Sequence, residues 1–226
     1  MKKYELTNET ITIDNGKILH RIRALIDIEA IGVKIGDFGG YIEKEENLSH
    51  CGNAWVSGIA RVYDNAVVGG NTMIYDNAEV HDDAWICDDA RVCGNAVVYG
   101  NAVVGGNTMI VGDSEVYDDA WICGYAVVGG VASVYGNAVV GGNTMIVGDA
   151  EINKSAHVLT IGPIGIRNDT ITFFRTKENI IKVKCGCFYG TIDKFLAKVE
   201  LTHDNNKQGQ AYRIAAELAK VQIDLE

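Results

Sequence analysis

Residues 101–110 read Asn-Ala-Val-Val-Gly-Gly-Asn-Thr-Met-Ile, and the same ten residues stand at 65–74 and again at 137–146. A second segment, Asp-Asp-Ala-Trp-Ile-Cys, stands at 82–87 and 118–123. Both recur at a spacing of 36. Inside them runs a shorter period: every sixth residue from Val56 to Val158 is Val or Ile, and the residue two places before each is Ala, Thr or Ser. Residues two apart on a strand share a face, so each hexapeptide offers one small and one aliphatic inward side chain, and its remaining positions form a corner. The corners carry Asp64-Asn65, Asp76-Asn77, Gly94-Asn95, Gly106-Asn107 and Gly136-Asn137, residue types that accept positive φ at least cost. A strand this short cannot bury its aliphatic side chain alone, so successive turns must stack into an all-β solenoid. The 36-residue repeat fits coils of three hexapeptides, because two such coils return duplicated residues to the same face.

Working outward, Ile11-Thr12-Ile13-Asp14-Asn15-Gly16-Lys17-Ile18-Leu19 places Asn-Gly between two apolar runs, a hairpin signal. The predicted organisation is an N-terminal hairpin and cap over 1–47, the solenoid over 48–158 and a small α+β unit over 159–226. In that last unit Ile171–Phe174 and Ile180–Lys184 read as strands, and Thr191–Thr202 and Gly209–Val221 carry helical spacing.

Val104-Gly105-Gly106-Asn107-Thr108-Met109 resembles the hexapeptide-repeat family. The resemblance implies a left-handed parallel β-helix of three hexapeptides per coil and about six coils. The handedness comes from the resemblance alone, since most parallel crossovers are right-handed. Gly39-Gly40 and Asn47-Leu48-Ser49 before the helix, with Ile161-Gly162-Pro163-Ile164-Gly165 and Cys185-Gly186-Cys187-Phe188 after it, are similar to the YdcK-like branch known from bacteria and phages. The activity usually attached to such chains, acyl transfer with acetyl-coenzyme A, rests on fold, which does not establish function.

The 226 residues are 47% hydrophobic and 22% charged, with 26 Gly and 1 Pro, an ordinary globular balance rather than a disordered one. There is no apolar run long enough to cross a membrane, and no secretory leader is read at Met1, which points to the cytoplasm. Net charge is −10, and residues 56–157 hold 13 acidic against 3 basic residues. Such a surface repels phosphate, so direct nucleic-acid binding is not expected.

Outward residues sort into three columns at steps of 18. One carries Tyr63, His81, Tyr99, Tyr117 and Tyr135 with Glu79, Glu115 and Glu151, and reads as a solvated face. The second carries Val67, Trp85, Val103, Trp121 and Val139 beside Gly and Cys, and the third carries Trp55, Met73, Met109 and Met145. Two apolar faces on a narrow prism call for cover. Either copies self-associate, as homotrimers if the resemblance is followed, or the terminal segments fold back over one face.

Acyl transfer in this family uses a His base, and the candidates are His81, between Glu79 and Asp82, and His157, placed by the period on the apolar face. Both are more simply structural. Asp64, Asp82, Asp83, Asp118 and Asp119 line one edge, and the same residues are what such turns require. Cys51, Cys87 and Cys123 lie about 9.6 Å apart along one column, too far for disulfides, and read as free thiols. Cys185-Gly186-Cys187 lacks a second pair, so no metal is predicted. Arg167, Asn168, Arg175, Lys182 and Lys184 concentrate positive charge after the helix and form a candidate anion site. These features favour a non-enzymatic oligomeric scaffold without a cofactor, binding a small anion such as a nucleotide, or a protein partner, at its interfaces. The alternatives are the coenzyme A-dependent acyltransferase and an acidic nucleic-acid mimic that inhibits a defence or DNA enzyme.

Overall fold

The computed structural model describes residues 2–225. From Trp55 to Ile152 the chain is a β-solenoid of two-residue strands, paired in parallel at steps of 18 residues from coil to coil. The outward residues' N–H groups reach the next coil: Trp55 N–H donates to Thr72 O at 2.9 Å, Trp85 N–H to Ala102 O at 2.9 Å and Trp121 N–H to Ala138 O at 2.9 Å. Every sixth residue from Val56 to Ile152 is at most 1% exposed and fills the axis. The corners turn through left-handed backbone, with φ of 58° at Asp64, 57° at Asp82 and 73° at Gly106.

Three sheets result. The methionine face holds the strands at Trp55, Met73, Arg91, Met109, Val127 and Met145, and the tryptophan face those at Val67, Trp85, Val103, Trp121 and Val139. The tyrosine face is longer, because the N-terminal segment joins it. Strands β1 (Tyr4–Thr12) and β2 (Ile18–Ala24) form the Asn15-Gly16 hairpin, β2 pairs antiparallel with β3 (Phe38–Ile42), and β3 pairs in parallel with Arg61-Val62.

The first and last coils each lack a neighbouring coil on one side, so the backbone groups they expose there need other partners. At the first coil the cap donates to carbonyls. Tyr41 N–H donates to Ala60 O at 2.9 Å, the buried Lys3 ammonium to Ala54 O at 2.6 Å, and the buried Asn47 amide to Asp64 O and Ala66 O at 3.0 and 2.9 Å. Burial pulls the Lys3 pKa down to about 8. Gly39 and Gly40 let β3 lie against this coil: a Cβ on Gly40 would meet Ala60 O at 2.6 Å. Donors and acceptors both cover the far end, where Lys177 N–H donates to Asp149 O at 3.1 Å. Ser155 Oγ receives Val139 N–H at 3.1 Å and Thr172 Oγ1 receives Met145 N–H at 3.2 Å. Trp55, expected outward, is buried at this first coil, edge-on to Tyr4 at 6.5 Å.

After the solenoid, β4 (Val158–Ile164), β5 (Asp169–Arg175), β6 (Ile181–Cys185) and β7 (Phe188–Thr191) form an antiparallel meander, followed by α1 (Ile192–His203) and α2 (Lys207–Gln222). Thr191 and Asn206 cap the two helices through their side-chain oxygens. Alternation along β5 joins two cores: Phe174 packs onto the solenoid and Phe173 packs under the helices with Phe195. No helix among the described residues is long and apolar enough to cross a membrane.

Candidate functional site

The column read as a solvated face is a stack. Tyr63, His81, Tyr99, Tyr117 and Tyr135 lie ring on ring at centroid separations of 4.9, 5.1, 4.9 and 4.9 Å, within 12° of parallel. The spacing is that of the strands themselves, so identical rotamers on stacked coils must bring the rings into contact. Burial, and then the neighbouring tyrosines and carboxylates, push Tyr117 up to about 12. His81 is therefore held between two tyrosines, with Nδ1 3.4 Å from Asp82 Oδ1. Asp64, His81 and Asp82 are the one group of three potential metal donors among the described residues. The Lys17 ammonium, carried on the hairpin tip, pairs with the Asp64 carboxylate. The other corner acids serve the turns: Asp82 and Asp118 accept Gly100 and Gly136 N–H at 3.2 Å, and Asp83 and Asp119 accept the Asn65 and Asn101 amides at 3.0 Å.

His157 does not lie on the outer face where the six-residue period places it. The coil breaks into a 3-10 turn at Ser155–His157, and the side chain is 1% exposed inside the C-terminal cap. Its Nδ1 receives Asn153 N–H at 3.4 Å and its Nε2 is buried without a partner. Burial, with Arg175 and Lys154 nearby and Asp224 opposing them, lowers its pKa below the usual 6.5. A group whose folded pKa is depressed gives stability that is fully present above its unfolded value and lost as pH falls through its folded one. Thermal unfolding should thus be less stable at pH 5 than at pH 7.5, and His157→Asn, which keeps an acceptor, should flatten that dependence. An unchanged slope in the variant would remove His157 from the explanation.

The basic residues are not gathered into one cradle. Arg167 and Asn168 sit exposed at the β4–β5 turn, while Arg175 ends β5 about 26 Å of strand away. Arg175 lies 3.4 Å from Glu151 Oε2, and Lys182 lies 2.7 and 2.8 Å from the Asp149 carboxylate, so both tie the C-terminal sheet to the last coil. Burial works against the Asp149 charge, but the Lys182 and Tyr189 hydrogen bonds hold its pKa below the usual value. Lys184 donates to Gly186 O.

On the tryptophan face Trp85 and Trp121 are 54% and 53% exposed, and Val67 and Val139 40% and 45%. Beside them the Cys87 and Cys123 thiols lie over Gly105 and Gly141, 3.0 and 3.1 Å from where a Cβ would stand. Met73, Met109 and Met145 are half-buried.

Residues 90–106 match the YdcK beta solenoid repeat family. The match falls on the third coil, spanning the methionine, tyrosine and tryptophan faces in turn. Together with the parallel sheets it is consistent with a YdcK-like β-helix. No curated protein matches the chain at a significant level.

Proposed function

We propose that the protein is a non-catalytic scaffold whose copies join through the tryptophan face. One observation carries the reading: two half-exposed tryptophans and two exposed valines share a flat sheet with no charged outward residue, on a chain of net charge −10. The non-catalytic part is supported by the engagement of both candidate bases, His81 within the ring stack and His157 as a backbone acceptor. Capture of a small anion finds less support, since Arg175 and Lys182 already face carboxylates.

Sedimentation at micromolar concentration tests the proposal. The native chain should run as an oligomer, and Trp121→Asp should weaken association at least about a hundredfold by placing a charge in a desolvated contact. Its side chain points outward, so the variant should keep the native melting temperature within a few degrees. A native monomer would overturn the reading.

A further inference from the structure

The outward column of the tryptophan face alternates in size with the period of two coils: Val67, Trp85, Val103, Trp121, Val139. Trp85 and Trp121 are thus ridges about 9.6 Å apart, with Val103 in the furrow between them. The neighbouring column is low, because each Cys lies down over the glycine of the next coil. A surface of ridges and furrows at a fixed period fits a reversed copy of itself, displaced by an odd number of coils.

We infer that the partner on this face is a second copy of the chain, antiparallel, with the two-fold axis passing between the Val103 coil and an adjacent tryptophan coil. The inference rests on the self-association proposed above and names its geometry. Each Trp then enters the furrow at a partner Val, and the same contact is made twice, as a two-fold interface requires. Large opposite small is also what lets facing layers interdigitate. Centred between Val103 and Trp121, the axis sets Val103 against the partner's Trp121 and Trp85 against the partner's Val139. The face is about 24 Å tall and roughly 18 Å wide, so with the flanks of the ridges the pair buries on the order of 1,000 Å² in total, the lower bound of a specific interface. No outward residue of the column is charged, the acids Asp82, Asp83, Asp88, Asp89, Asp118 and Asp119 standing at the corners beside it. A side-by-side parallel arrangement keeps equal heights together and makes no use of the alternation.

A compensation experiment tests the register. Val103→Trp puts Trp against Trp and should weaken dimerisation at least about tenfold, and Trp121→Val alone should weaken it similarly. Combined, they exchange ridge and furrow, and the double variant should return to within about threefold of the native dissociation constant. Val103 and Trp121 are also neighbours on paired strands of one chain, so unchanged melting temperatures of the single variants exclude coupling inside the protomer. If the axis lies on the other side of Val103, Trp85→Val rescues instead. Both positions point outward, so an unchanged melting temperature certifies folding. A native dimer with no rescue by either partner overturns the antiparallel register. A native trimer overturns the two-fold pair and leaves self-association standing, whereas a monomer overturns both.

Discussion

Replacing Gly40 with Val will destabilise the protein by about 3 kcal/mol, the upper range for forcing atoms into a packed interior. Already a Cβ at this position would stand 2.6 Å from Ala60 O and 2.8 Å from Val56 Cγ1. Ala60 O is the same carbonyl that receives Tyr41 N–H, so β3 cannot move away without breaking that bond and the next one, Glu43 N–H to Val62 O at 3.1 Å. Gly39 leaves no room on the other side, with Ile22 Cγ1 and Val56 O both at 2.5 Å from its Cβ position. Urea unfolding should show a lower midpoint with an unchanged slope. The control is Gly69→Ala, whose Cβ would meet nothing nearer than Ser49 Cβ at 3.8 Å. That change should stay within about 0.5 kcal/mol. Equal effects at the two glycines would mean that chain entropy, not the contact with the first coil, decides.

Asn47→Ala should cost a similar amount, about 3 kcal/mol, because it strips hydrogen bonds from buried backbone without letting water in. The side chain donates to Asp64 O and Ala66 O and accepts Lys44 N–H at 2.9 Å, all from a fully buried position. Asn47→Asp is the sharper test. It keeps the acceptor and the volume but turns a carboxylate toward two carbonyls, so it should destabilise at least as much as Ala. Hydrogen exchange should locate the damage, with amides of the first coil losing protection before those near Ile110. Uniform loss along the solenoid would show that the coils unfold as one unit.

These cap residues also mark what could be read from the sequence. The inward positions were plain, because an aliphatic at every sixth place has no other economical explanation, and Asn15-Gly16 announced the hairpin. The cap contacts were not, since Lys3 and Asn47 acquire meaning only against carbonyls 17 to 51 residues away. The tyrosine stack left a visible trace in the step of 18 from Tyr63 to Tyr135. Taken one strand at a time, alternation with Glu79 and Glu115 read as solvent exposure, and only the strand spacing turns the column into ring contacts. His157 misled for the opposite reason. Ala156 and Val158 continue the hexapeptide pattern, yet no further coil exists to pair with, and the chain turns inward instead. Around Arg167 and Arg175, nearness in sequence suggested one site, but an extended strand separates its ends by its whole length. The apolar column of Trp85 and Trp121 was legible throughout, because outward bulk is set by the period alone.

Parallel pairing makes the two ends of the solenoid different from each other, so that a first coil is complementary to a last coil and not to another first. An uncapped first coil would present its free strand edges to another molecule's uncapped last coil, and nothing in a repeating cross-section would stop the addition. Length is therefore not encoded in the repeats, which could be copied in steps of 36 residues without changing any contact pattern. It is encoded at the two places where the repeat is refused: where an ammonium and an amide close one end, and where two hydroxyls and an imidazole close the other. Because the two ends present different backbone groups, the closure that fits one does not fit the other, and a chain that lost both would be a unit able to add head to tail.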